Sequence, residues 1–142
     1  MTGSILGLDV GTVRIGVAIS EGDGLPAMPL CTIESVSREK DVRAIVARAA
    51  ERGARTVVVG YPLNLDGSHG PAAENMDKFV AALRKAYDGA VDTADERMTT
   101  AAAHRKLRET GLSGGKRRSF VDRLAAVDIL DGWLARQRRT PT

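Results

Sequence analysis

The stretch Leu6-Gly7-Leu8-Asp9-Val10-Gly11-Thr12-Val13-Arg14-Ile15-Gly16-Val17-Ala18 leaves a folding chain few options. An apolar run ends at Asp9, a glycine-marked turn follows, and a second apolar run leaves it. The pattern predicts a β-hairpin, with strands over residues 4–9 and 15–19 and a turn over Val10–Arg14. It also places a carboxylate at the end of a buried strand. That is costly unless a cation pairs with it. Arg14, beside the turn, is one candidate; a metal ion and a ligand are the others.

The rest of the chain follows from changes of period. Glu21–Pro29 carries Gly22, Gly24, Pro26 and Pro29 and reads as a loop. Leu30–Glu34 reads as a third strand, completing an antiparallel meander. Ser37 is placed to cap a helix whose apolar face is Val42, Ile45, Val46 and Ala49, with Gly53 at its end. Thr56-Val57-Val58-Val59 is a continuous β-branched run, as expected of a strand buried on both faces. Tyr61–Pro71, crowded with Pro, Gly, Asn and Asp, is a loop. Pro71 starts a helix with Met76, Phe79, Val80, Leu83 and Tyr87 in its stripe and Gly89 at its close. Val91–Asp95 is a fifth strand, ending in Glu96-Arg97. Thr99 or Thr100 caps an Ala-rich helix reaching to Thr110, Gly111–Arg118 is a basic loop, and a last helix runs from Phe120 to Arg138. The strand–helix–strand series after the meander implies right-handed parallel crossovers in one mixed sheet. The expected organisation is a single domain over residues 1–138 with a short tail, 139–142.

Composition excludes several classes. A chain of 142 residues, 43% hydrophobic and 27% charged, suits a soluble domain with a real core. No apolar run approaches the roughly 20 residues of a membrane span. A single cysteine, Cys31, makes no internal disulfide, which suits a reducing cytoplasm. Charge is unevenly spread. Residues 1–96 hold 10 Lys+Arg against 14 Asp+Glu, a net −4, and residues 97–142 hold 11 against 4, a net +7. A basic C-terminal third suits a phosphate backbone, although an arginine-rich solvated surface has the same composition.

The acids form the clearest constellation. Asp9 ends the first strand and Glu96 the fifth, and sites in α/β sheets gather outside the carboxyl ends of parallel strands. Carboxylates sharing one cation there suit Mg²⁺ or Mn²⁺. Taken alone, Asp9 is also explained by a salt bridge to Arg14, and Glu96 by a solvated loop. On the last helix, Asp122, Ala126, Ile129 and Trp133 share one face at about 100° per residue, so Asp122 looks toward the sheet while Asp128 and Asp131 look to solvent. Against this, Ser119-Phe120-Val121-Asp122 also fits a capping box. The loop residues Asn64, Asp66 and His69 form a long polar segment beside the sheet's carboxyl end, where long loops are often functional. His69 and His104 lack metal-ligand spacing and read as surface residues. Lys116-Arg117-Arg118 would guide phosphates toward the acids.

Together, the hairpin Leu6–Ala18, the loop Gly60–Pro71, Asp95-Glu96-Arg97-Met98-Thr99-Thr100, and Lys116-Arg117-Arg118 with Val121-Asp122-Arg123-Leu124-Ala125-Ala126 resemble the YqgF/RuvX family. Its members are pre-16S rRNA nucleases, also described as Holliday-junction-resolvase-like proteins, and the likeness covers nearly the whole chain. It implies an α/β, ribonuclease H-like fold: a five-stranded mixed sheet flanked by helices. It implies a catalytic, metal-holding triad of Asp9, Glu96 and Asp122. Asp128 and Asp131 depart from the family pattern.

The expected chemistry is phosphodiester hydrolysis assisted by Mg²⁺ or Mn²⁺, with Arg14, Asn64, Arg97, Lys116, Arg117 and Arg118 binding nucleic acid. The expected substrate is structured RNA, namely the 5′ end of pre-16S rRNA. Branched DNA is the alternative and would require two active sites, hence a homodimer. A non-catalytic nucleic-acid-binding module is the third reading. Asp9-Val10-Gly11-Thr12 also resembles the phosphate-binding hairpin of actin-like ATPases and sugar kinases, which close a second domain over the nucleotide.

Overall fold

The hairpin forms as expected and becomes the middle of a larger sheet. In the computed structural model, which describes residues 3–22, 25–62, 66–96 and 115–139, β1 (Ser4–Val10) pairs antiparallel with β2 (Arg14–Ser20). The turn is closed by Gly11 N–H donating to the Arg14 carbonyl at 2.9 Å. On the outer side of β2 lies β3 (Met28–Glu34), also antiparallel. The chain then crosses through α1 (Arg38–Arg52) to β4 (Ala54–Tyr61), parallel to β1, and through α2 (Pro71–Ala86) to β5 (Ala90–Asp95), parallel to β4. The sheet order is β3-β2-β1-β4-β5. A long helix, α3 (Gly115–Arg139), ends the described chain.

Strand alternation divides the core into two layers. On one face Leu6, Leu8, Ile15, Val17, Val57 and Val59 pack on Ile45, Phe79 and Leu83 of α1 and α2. On the other, Ile5, Ala18, Val58 and Ala94 receive Ala125, Ala126, Ile129 and Leu130 of α3. The β-branched run in β4 is therefore buried on both sides. Cys31 is half-buried in β3 and packs against the first layer.

Local signals account for most element ends. Ser37 accepts the Lys40 N–H at 3.2 Å to cap α1, and Gly53, at φ 64°, takes the left-handed conformation that ends it. Pro71 opens α2. The expected close at Gly89 is corrected: α2 ends at Ala86, and Tyr87 turns extended at φ −111°. The Tyr87 hydroxyl donates to the Ala54 carbonyl at 2.6 Å, so a tertiary contact stops the helix before the glycine does. The last helix is also corrected. It starts at Gly115, not Phe120, so the Lys116–Arg118 backbone is helical rather than a loop. That first turn holds no apolar residue, so the apolar stripe gave no sign of it. The helix expected before it, from Thr99 or Thr100 to Thr110, lies outside the described residues. Among the described residues, no helix is long and apolar enough to cross a membrane.

Candidate functional site

Sheet register brings the first two acids to the carboxyl end of the parallel strands. Asp9 stands opposite Gly16 of β2. On its other side, the pairing of Leu8 with Val59 sets Asp9 beside Gly60. Gly60 in turn pairs with Ala94, and Glu96 follows two residues later at the end of β5. In β1, Ile5, Gly7 and Asp9 alternate onto the face covered by α3. The parity of Ala18 and Gly16 in β2, and of Val58 and Gly60 in β4, agrees.

Glycines then let the helix deliver the third acid. A Cβ on Gly16 would stand 2.0 Å from the backbone oxygen of Asp122. One on Gly7 would stand 2.7 Å from Leu130 Cβ and 3.1 Å from the Ala126 oxygen. One on Gly60 would stand 2.5 Å from Ile129 Cδ1 and 3.2 Å from Glu96 Cδ. The helix backbone thus lies almost on the strands, with Asp122 over the Asp9–Gly16 pair and Glu96 against the Gly60 position. These three glycines were not singled out in the sequence. Their signal is that they share the parity of Asp9 and of the small residues Ala18 and Ala94.

All three carboxylates are withdrawn from water, with Asp9 0%, Glu96 4% and Asp122 1% exposed. The solvated-loop reading of Glu96 is therefore wrong. So is the capping reading of Asp122: α3 begins at Gly115, which leaves Asp122 well inside the helix. Arg14 Nε donates to Asp122 Oδ2 at 2.7 Å, so the cation beside the turn serves the helix acid. Asp128 is half-buried, and Asp131, although exposed, accepts the Ala27 N–H at 3.0 Å. Trp133 Nε1 donates to Asp92 Oδ2 at 2.7 Å, keeping the far end of α3 on β5.

The other expected residues fall as follows. Asn64 and Arg97 lie outside the described residues. Lys116, Arg117 and Arg118 occupy the first turn of α3. His69 is exposed; its Nε2 lies 3.0 Å from Asp77 Oδ2 and 2.6 Å from the Tyr61 hydroxyl, which donates to Asp77 Oδ1 at 2.6 Å. That bond to Asp77 pushes the Tyr61 phenol up to about 12. A cleft of about 380 Å³ opens between the hairpin turn and the start of α2, lined by Val10, Asn75 and Phe79 among others, and it contains none of the three acids.

Among the described residues, no three His, Cys, Asp or Glu side chains stand close enough together to hold an ion as they are placed. The donor chemistry of Asp9, Glu96 and Asp122 nevertheless fits one. All are carboxylates, the ligands that Mg²⁺ and Mn²⁺ take. Negative charge this far from water favours a cation. Asp9, Glu96 and Asp122 are the residues that would hold such an ion, Asp122 being bonded to Arg14 here.

A family model described as "RuvX: Holliday junction resolvase" matches residues 3–136. A Clostridium perfringens protein named "Putative pre-16S rRNA nuclease" is 42% identical over 132 residues, covering 93% of this chain and 96% of the relative. A Myxococcus xanthus protein of the same name is 43% identical over 137 residues, covering 96% and 91%. Among solved structures, Thermus thermophilus RuvC in complex with a Holliday junction substrate superposes with a TM-score of 0.55, at 15% identity and 96% coverage of each chain. That likeness bears out the ribonuclease H-like fold expected from the sequence.

Proposed function

Since this chain belongs to the RuvX family of Holliday junction resolvases, we propose that it is a metal-dependent endonuclease that processes structured nucleic acid, with the 5′ end of pre-16S rRNA in the cytoplasm as its substrate. The observation that carries this reading is that three buried carboxylates, from β1, the end of β5 and α3, share the face covered by α3 at the carboxyl end of the parallel strands. The names of the relatives support the substrate.

In the reaction, a water oxygen forms a bond to phosphorus, the opposite ester bond breaks, and the products are a phosphomonoester and a hydroxyl. Bound Mg²⁺ or Mn²⁺ would supply activation of that water and stabilisation of the leaving oxygen. Asp9, Glu96 and Asp122 are the residues that would hold it. The chain's own contribution is rigidity: Asp9 is held in the ladder with β2 opposite Gly16, and Asp122 by the close seat of α3 on Gly16. Arg14, bonded to Asp122 beside the acids, is assigned to a substrate phosphate. Asn64, Arg97, Lys116, Arg117 and Arg118 are assigned to the rest of the nucleic acid.

Asp9→Asn removes a charge with little change in shape. It is expected to lower metal-dependent cleavage by about 1,000-fold, or about 4 kcal/mol of barrier. Full activity in a contaminant-free preparation of this variant would end the assignment. The family description favours a second substrate, a four-way DNA junction, which needs two active sites and hence a homodimer. Cleavage of precursor rRNA and junction DNA by wild type and Asp122→Asn, side by side, separates the two. Binding of either without cleavage across Mg²⁺ and Mn²⁺ titrations would leave a non-catalytic binding module.

A further inference from the structure

We propose that Phe120 and Arg123 form a platform on which an unpaired nucleotide of the substrate stacks; the inference rests on reading the neighbouring acids as a nuclease site. Among the described Phe, Tyr and Trp residues, only Phe120 is exposed, at 48%. It lies two residues before Asp122, about 200° around the helix, so it points off the sheet rather than into the core.

One turn later, the Arg123 guanidinium carbon sits 5.7 Å from the Phe120 ring centroid. It is held there. Arg123 Nη1 donates to Thr32 Oγ1 at 3.2 Å and to Ser119 Oγ at 3.1 Å. Ser119 Oγ donates to Thr32 Oγ1 at 2.8 Å, and Thr32 Oγ1 donates to the Ser119 carbonyl at 3.0 Å. A surface arginine pinned by two hydroxyls has already lost much of the freedom that binding would cost it.

The platform also lies beside the acids. Thr32 pairs with Gly16, and Gly16 with Asp9, so the three form one row across β3, β2 and β1. Two strand spacings separate Thr32 from Asp9, about 10 Å. A base stacked on Phe120 therefore sits close to the acids where the phosphate would be cut. Charge suits the occupant: the C-terminal third that holds the platform is net basic. A guanidinium offers five N–H donors, more than the two bonds to hydroxyls use, and its planar fork matches a phosphate. An exposed ring with an adjacent cation reads no sequence, because every base has a π-face. It does require an unpaired base, since duplex stacking covers those faces. The surface thus favours single-stranded segments flanking structured ones.

The test measures binding in EDTA, where metal-dependent cleavage cannot proceed, so its result is separate from that of Asp9→Asn. Fluorescence anisotropy would follow a short oligouridylate, a short oligothymidylate and a blunt duplex. Phe120→Ala is expected to weaken single-strand binding about tenfold while leaving the duplex unchanged. Loss in both single-strand arms means a platform indifferent to the sugar; loss in one arm alone assigns it to RNA or to DNA. Phe120→Trp should keep the affinity, with its emission quenched by the single strand beyond the Trp133 background. Wild-type affinity in Phe120→Ala, equal losses for single strand and duplex, or no single-strand binding by the wild type would each overturn the proposal.

Discussion

The ion pair between Arg14 and Asp122 is where the site is most exposed to a single substitution. The Arg14 side chain is 16% exposed and that of Asp122 2%, so their 2.7 Å bond is largely shielded from solvent screening. Removing the cation leaves a carboxylate in a dry place without its charged partner. Arg14→Gln is expected to lower unfolding stability by about 1–3 kcal/mol in metal-free buffer, read by urea denaturation. If the acids take a divalent cation, saturating Mn²⁺ should shrink that deficit, because the ion replaces the lost positive charge and binds only the folded form. A deficit that Mn²⁺ leaves untouched would mean that Asp122 does not take the ion. Tyr61 is a contrast at the same scale. Its phenol is shifted upward by Asp77, but the group lies on the surface and away from the acids, so its titration says nothing of the proposed reaction.

Between elements, the decisive contact is α3 lying on the glycines of β1, β2 and β4. The backbone oxygen of Asp122 would be 2.0 Å from a Gly16 Cβ, and a backbone atom in mid-helix has nowhere to go. Gly16→Ala is therefore expected to cost about 3 kcal/mol and to displace Asp122, lowering thermal stability and any cleavage together. Gly53→Ala is the control. It meets no atom within 4 Å but must hold φ near 64°, so it should lose about 1 kcal/mol without touching the site. Equal losses from the two would show that close packing at Gly16 does not hold the helix. This contact also marks how far the sequence could be read. The hairpin, the doubly buried Val57–Val59 run and the inward phase of Asp122 were legible because each is a periodic pattern of apolar side chains. A glycine has no side chain to enter such a pattern, so the floor beneath α3 was not. The polar first turn of α3 was missed for the same reason, and without it Asp122 stayed ambiguous between cap and site. The Arg14–Asp122 pair spans 108 positions and depends on rotamers that no local pattern encodes.

Over the whole molecule, charge is sorted along the chain. The first 96 residues carry a net −4 and the remainder a net +7. Acids buried at the carboxyl end of the parallel strands suit a small cation, whereas a basic C-terminal third suits the polyanion whose phosphate that cation would help to cut. The three consecutive cations Lys116, Arg117 and Arg118, in the opening turn of α3, concentrate that positive charge a short distance before Asp122. Contacts to phosphates release counterions, so their number is read from the salt dependence of binding rather than from affinity at one salt. Replacing all three by Gln is expected to weaken single-strand binding at every salt tested. It should also flatten the log–log slope by about 2, at roughly 0.7 per lost contact. Unlike Phe120→Ala, it should weaken duplex as well, since a phosphate contact does not ask whether the base is paired. A slope unchanged by the triple replacement would place the phosphate track elsewhere on the chain, and the measurement uses the same EDTA buffer and the same three ligands as the platform test.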